Sequence, residues 1–267
     1  MRDYILEIFF ERDEEDLIQS RLFLTKSTGN TSTDAMISAY FDSPEDRDAA
    51  AQLLSEFEVR SAERERLDWL EIYQQSLEAM AIGEHFIVAP DAALFPQDTD
   101  RFTIVVPQEQ AFGTGSHETT ALCIEMLESL ELRGRRGLDI GAGSGILAIA
   151  MLRLGATKVI AFDNDVDAYG ALRDNSMRND ADVTVFIGGI EALRGGAFDV
   201  VTMNIIPEVI LPLLPHVVSR MADGASLILS GILTIRRDNV VDGALAHGLE
   251  LVSEREKGEW WAGVFRR

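Results

Sequence analysis

The sequence predicts an α/β fold: a mostly parallel, Rossmann-like sheet closed by an antiparallel hairpin and preceded by a small α+β domain. Three observations carry this. From about residue 81 onward, apolar strand-like runs alternate with helical patterns, as in parallel sheets covered on both faces. One strand-to-helix junction, Leu138–Leu147, carries glycine at every second position of its loop. The chain then ends on two strand patterns, LELVSERE and WWAGVFRR, joined by Lys257-Gly258-Glu259 and not by a helix.

Taken in order, YILEIFF (4–10) is strand-like, and 14–27 has helical spacing at Leu17, Arg21 and Leu24. Gly29-Asn30 predicts a turn before a second strand, DAMISAYF (34–41). Ser43-Pro44 opens a helix as cap and first residue, with Leu53, Leu54 and Phe57 as its apolar face. Residues 1–57 thus form an α+β domain, expected to be ferredoxin-like. Residues 58–80, charged with Leu67, Leu70 and Leu77 interspersed, predict a connecting helix. In 81–267, HFIVAP and FTIVVP lead into a glycine-rich loop and a helix, TTALCIEMLESLEL. Strands RGLDIG, KVIAFD, VTVFIGG, FDVVTMNII and ASLILSGI follow, with helices between them and the last helix expected to run through MADG (221–224).

Composition narrows the function classes. The 267 residues include one cysteine, Cys123, which excludes a disulfide framework and fits a reducing compartment. The N-terminal apolar run is short and flanked by acids, so no signal peptide is expected, and no stretch approaches a membrane span. A soluble cytoplasmic protein follows. Asp plus Glu number 45 against 24 Lys plus Arg, a net charge of −21. Such a surface repels nucleic acid and steers in basic partners, although acidity also serves solubility alone. Residues 1–80 hold 19 acids and 8 bases, so the charge is concentrated in the smaller domain. The histidines and the cysteine have no metal-ligand spacing, and no metal is expected.

The chemistry centres on Asp139-Ile140-Gly141-Ala142-Gly143-Ser144-Gly145. Alternate glycines let the backbone turn tightly and approach a ligand, and the following helix offers free N–H groups. Asp163, 24 residues beyond Asp139, ends the next strand, where a carboxylate can accept both hydroxyls of a ribose. An adenosine-containing cofactor is implied. The dinucleotide pattern G-x-G-x-x-G/A fails from Gly141, where the sixth position is Ile146, but passes from Gly143, where it is Ala148. The acid two residues before the first glycine fits S-adenosyl-L-methionine enzymes better. That cofactor carries no phosphate and tolerates acids near the loop.

Ala111-Phe112-Gly113-Thr114-Gly115-Ser116-His117-Glu118-Thr119-Thr120 then resembles the cofactor-covering loop of the PrmA family, class I methyltransferases of the eleventh protein of the large ribosomal subunit. GLDIGAGSGILAIA, Asn204-Ile205, Leu229–Leu233, Glu259-Trp260, Asp68-Trp69 and Ile82-Gly83 match that family in order and spacing, while residues 1–57 match only in layout. Two departures stand out. Glu118 takes the place of a proline, and Leu77 and Ala79 replace an aromatic and a proline near the end of the linker. The resemblance implies cofactor contacts at Thr120, Gly141, Asp163 and Asn204, with Gly113, Asp139 and Gly143 as further candidates. It also implies methyl transfer to lysine side-chain and N-terminal amines of a basic ribosomal protein, gripped by the N-terminal domain.

Asn204 is the candidate catalytic residue, because its side-chain oxygen can accept from the target amine and aim the nitrogen lone pair. The carbonyl of Ile205 is a possible second acceptor. His117 fits a structural or lid contact better than a base, and Thr119 and Thr120 can cap the helix that follows. Asp139 can bind the cofactor's ammonium or pair with the loop's own N–H groups. Glu191 is an adenine contact or an exposed acid, and one of Trp260 and Trp261 should be core. Rival readings are a methyltransferase for another protein or a small amine, an NAD-dependent dehydrogenase, and a non-catalytic adaptor.

Overall fold

Strand β1 (Arg2–Phe9) is followed by helix α1 (Glu15–Leu22), strands β2 (Gly29–Thr33) and β3 (Met36–Phe41), helix α2 (Pro44–Leu53) and strand β4 (Glu58–Glu65). In this computed structural model the described residues are 2–10, 14–33, 35–65, 78–107 and 117–267. The chain divides into two units, Met1–Ser76 and Leu77–Arg267.

In the first unit all strand pairs are antiparallel, in the order β2-β3-β1-β4. The β-α-β-β-α-β succession with that order is the ferredoxin-like arrangement. Alternate residues of β1 and β3, among them Leu6, Ile8, Ile37, Ala39 and Phe41, face a core closed by Ile18 and Leu22 of α1 and Ala50 of α2. Ser43 caps α2 by accepting from the Asp46 N–H at 3.2 Å, with Pro44 at the first position.

Four expectations need correction here. Residues 58–65 form β4, not the start of a connecting helix, because EVRSAERE pairs along the whole of β1 and tucks Val59 against the core. The remainder of that helix, with Leu67, Asp68, Trp69, Leu70 and Leu77, lies outside the described residues. Gly29-Asn30 begins an exposed edge strand instead of a turn. In α1 the core contacts are Ile18 and Leu22, one turn apart, whereas Leu17 and Leu24 are exposed and the helix stops at Leu22. In α2 the buried leucine is Leu54, and Leu53 faces solvent.

The second unit begins with a three-stranded sheet, β5 (Met80–Ile82), β6 (Phe86–Ala89) and β7 (Phe102–Val105). The side-chain amide of Asn179 pairs with the β7 edge, accepting from Val105 N–H and donating to Val105 O, both at 2.8 Å. Helix α3 (Glu118–Glu128) leads into the main series: β8 (Arg136–Ile140), α4 (Ile146–Arg153), β9 (Lys158–Asp163), α5 (Val166–Arg178), β10 (Val183–Ile187), β11 (Phe198–Asn204), α6 (Pro207–Arg220), β12 (Met221–Leu233), α7 (Arg237–Ala246), β13 (Glu250–Lys257) and β14 (Trp260–Arg266).

These strands form one seven-stranded sheet, β10-β9-β8-β11-β12-β14-β13, parallel except where β14 runs antiparallel between β12 and β13. Both faces are covered, which is why the strands read as apolar runs. Val159, Ala161, Val200 and Ile228 pack with α3 and α4. Leu138, Ile140, Val201 and Met203 pack with α6, α7 and Trp261. Trp261 is fully buried and Trp260 partly so, as alternation requires. MADG is not helical: Met221 is already extended and pairs with Phe198, so α6 ends at Arg220. The strand order reverses between β8 and β11, and in open α/β sheets ligands bind at the carboxyl ends of strands at such a switch point.

Candidate functional site

The loop after β8 is shaped by its glycines. Gly141, Gly143 and Gly145 have φ of 67°, 52° and 79°, the left-handed region that other residues rarely adopt. Gly141 and Ala142 donate to Phe162 O at 3.0 and 3.1 Å, so the loop folds over the end of β9. Gly143 then donates to Asp163 Oδ2 at 2.9 Å, and Asp165 N–H donates to Asp163 Oδ1 at 3.1 Å. Each oxygen of Asp163 is fixed by one backbone donor and retains a lone pair. That leaves an oriented carboxylate with two acceptor positions, which suits a pair of vicinal hydroxyls.

Two adjoining cavities open here. One, of about 300 Å³, is lined by the glycine loop, Thr120, Asp163, Asp165, Asp167, Asn204 and Ile205. The second, of about 690 Å³ and more apolar, shares Gly141, Asp163, Asn204 and Ile205. It extends over Phe162, Asn164, Gly188–Glu191 and the first two turns of α6. Thr120, Gly141, Gly143, Asp163 and Asn204, all expected at the site, therefore come together. Gly113 lies outside the described residues.

Asn204 ends β11. Its Nδ2 donates to Thr120 Oγ1 at 3.5 Å, while its Oδ1 is buried and has no hydrogen-bond partner among the described residues. An unsatisfied buried carbonyl costs about 1–3 kcal/mol, a cost that a bound donor removes.

Asp139 sits beneath the site, with its Oδ2 buried and without a hydrogen-bond partner among the described residues. It is 1% exposed, lines neither cavity, and accepts from Thr202 Oγ1 at 2.6 Å beneath the loop. Burial pushes its carboxyl up to about 7, against the lowering effect of Thr202. Stability follows with a definite sign. The folded chain keeps a proton until about pH 7 that the unfolded chain releases near 3.8, so stability falls as pH rises between those values. Asp139→Asn removes this slope. Its stability advantage over the parent should grow by about 2–3 kcal/mol between pH 5 and pH 8, read by urea unfolding at both. Parallel pH profiles for the two proteins would refute a proton held on Asp139.

His117 is the N-cap of α3. Its Nδ1 lies 2.8 Å from Thr119 Oγ1, and its ring meets Trp260 edge-on at 4.8 Å. Cys123 is buried, which pushes its thiol up to about 12 and suits it to packing, not nucleophilic attack. Glu191 is exposed and lines the rim of the larger cavity. Sequence reasoning missed Asp165, Asp167, Asn164 and Gly188–Ile190. Their signal was positional, since all lie just past the carboxyl ends of β9 and β10. No group of three or more His, Cys, Asp or Glu side chains able to hold a metal occurs among the described residues. No helix among them is long and apolar enough to cross a membrane.

The donor set fits S-adenosyl-L-methionine: a two-acceptor carboxylate for ribose, a loop with glycine at 141, 143 and 145, no cationic side chain among the residues lining the smaller cavity, and a buried amide oxygen with no partner among the described residues. Fold and site together define a class I methyltransferase that uses S-adenosyl-L-methionine as methyl donor. A solved structure described as the ribosomal protein L11 methylase of Lactobacillus delbrueckii subsp. bulgaricus superposes with a TM-score of 0.66 at 26% identity, covering 71% of this chain and 98% of that one. The ribosomal protein L11 methyltransferase of Pelobacter propionicus is 35% identical over 252 residues, 86% of this chain and 81% of the relative. That of Geobacter sulfurreducens is 41% identical over 199 residues, 74% of this chain and 66% of the relative. Residues 8–267 match the profile described as ribosomal protein L11 methyltransferase (PrmA), and the chain belongs to that family.

Proposed function

We propose that this chain methylates ribosomal protein L11 on lysine side-chain and N-terminal amines, in the cytoplasm and without binding nucleic acid or membrane. The Oδ1 of Asn204, buried where both cavities meet and without a partner among the described residues, is the observation that carries the reading. S-adenosyl-L-methionine, when bound, supplies a methyl group activated by its sulfonium. The protein's task is to present a neutral amine in line with the carbon–sulfur bond. A lysine of ordinary pKa near 10.4 is neutral only about one time in a thousand at about pH 7.4, so desolvation in the apolar cavity favours the reactive form. Asn204 Oδ1 accepts one N–H of the amine and turns the lone pair toward the methyl group. Positioning then supplies most of the rate. No dedicated base is needed, because the methylated ammonium can lose its proton to water.

Asp163 holds the ribose hydroxyls in this reading, and Gly113, Thr120, Gly141 and Gly143 complete the cofactor site. Asp163→Ala should weaken S-adenosyl-L-methionine binding by about 2–4 kcal/mol, roughly 30- to 1000-fold, in calorimetry. An unchanged dissociation constant in the folded variant would remove Asp163 from the site.

The amine assignment is tested by incubating purified L11 with enzyme and isotopically labelled S-adenosyl-L-methionine, then locating the label by mass spectrometry. Label is expected on lysines and on the N-terminus. Asn204→Ala should lower kcat about 100-fold while cofactor affinity changes far less. Label on other side chains, or a variant with full kcat and poor cofactor affinity, would overturn the assignment.

A further inference from the structure

Strand β12 is interrupted opposite the reacting centre. Leu229 pairs with Gly263 and Ile232 with Trp261, so Ser230 and Gly231 together face the single residue Ala262 of β14. Two residues against one is a β-bulge, and Gly231 takes the left-handed φ of 80° that such a bulge uses. On the other edge of β12, Ser230 is in register with Asn204.

The bulge meets both elements that line the smaller cavity from this side. Ser230 O accepts the Ile205 N–H at 3.1 Å, and Ser230 Oγ donates to Thr119 O in the first turn of α3 at 3.3 Å. Ser230 is fully buried, so neither bond competes with water. Gly231 is pressed against the backbone of Ile205, the residue that follows Asn204. A Cβ there would lie 2.7 Å from Ile205 O, 2.8 Å from Ile205 N and 2.9 Å from Ile205 C. All three are backbone atoms, which cannot rotate away as a side chain can. The 204–205 backbone is therefore held from behind by a surface with no side chain. Its distance from Thr120 is set through the same serine.

We propose that Ser230 and Gly231 are positioning residues for methyl transfer, fixing where the Asn204–Ile205 backbone presents its acceptors to the target amine. The proposal rests on the assignment of Asn204 as the residue that holds the amine. Gly231→Ala would displace the Ile205 backbone by several tenths of an ångström. Alignment at a transfer site is sensitive to such shifts, so the loss should appear in kcat.

A double-mutant cycle separates this from a merely structural role, using the full-length enzyme with L11 and S-adenosyl-L-methionine. Gly231→Ala should lower kcat at least about 10-fold, with the cofactor dissociation constant moving less than about threefold. In the Asn204→Ala background the same change should cost less than about threefold in kcat, because the acceptor it displaces is already gone. Ser230→Ala, which cuts the tie to Thr119 and leaves the bulge backbone in place, should give a smaller kcat loss with the same non-additivity. It also serves if Gly231→Ala does not fold. Equal losses in both backgrounds would mean that the bulge supports the fold alone, and the proposal would fail. Loss of kcat in Asn204→Ala without loss in Gly231→Ala or Ser230→Ala would also overturn it while sparing Asn204. Full kcat in Asn204→Ala would instead sink the assignment on which the proposal rests.

Discussion

Gly141→Val is expected to leave no measurable affinity for S-adenosyl-L-methionine in calorimetry, while the N-terminal unit stays folded. Two separate effects act at this position. The backbone φ of 67° is costly for any residue with a Cβ and most costly for a β-branched one. The new Cβ would also start 2.6 Å from Ile205 Cγ2, and both residues line both cavities. The loop can relieve the strain only by lifting off β9, which breaks the Gly141 and Ala142 bonds to Phe162 O and carries Gly143 away from Asp163. The ribose carboxylate then loses the donor that orients it. Gly141→Ala, with the same φ but less bulk, should lie between parent and valine variant. Normal binding by a folded Gly141→Val protein would reduce the glycine loop to a turn and remove the structural basis of the cofactor site.

Much of this was legible in the sequence because backbone requirements leave strong marks. Three glycines at alternate positions proved to be three left-handed residues, and Asp163 ends β9 as its spacing from Asp139 required. The apolar runs of β8, β9 and β11 announced a sheet covered on both faces. The failures also have physical causes. Heavily charged EVRSAERE reads as helix in the sequence, yet it is β4, the edge of its sheet, where charge guards against pairing with other chains. Strand β2, GNTST, is the opposite edge; it carries no charge, but it has no apolar alternation to mark it as a strand. Asp139 looked like a ligand because sequence shows residue type and spacing, not depth. It is buried against Thr202 on the neighbouring strand, 63 residues away, which donates to it at 2.6 Å. Ser230 and Gly231 lie in the stretch Leu229–Leu233 that resembles the family, but neither their bulge nor its link to Asn204 shows until β12 lies between β11 and β14.

Removing residues 1–76 should leave S-adenosyl-L-methionine affinity nearly unchanged and abolish methylation of L11. Every described residue that lines the two cavities belongs to Leu77–Arg267, so the cofactor contacts survive the deletion. The cut follows the folded unit, because ending it at residue 57 would leave β4 without the β1 strand it pairs with. The family resemblance implies that the N-terminal unit holds the protein substrate, so that without it a flexible lysine would no longer be kept at the site. Charge supplies the second arm of the test. Residues 1–80 carry 19 acids against 8 bases, a field that steers a basic partner over a distance set by the Debye length, about 8 Å at physiological salt and about 3 Å at 1 M. Stopped-flow association of L11 with the full-length enzyme should therefore slow as salt rises, while S-adenosyl-L-methionine binding responds much less. A truncated, folded enzyme that methylates L11 at the full rate would end the division of labour. An association rate indifferent to salt would return the acidity to a role in solubility alone.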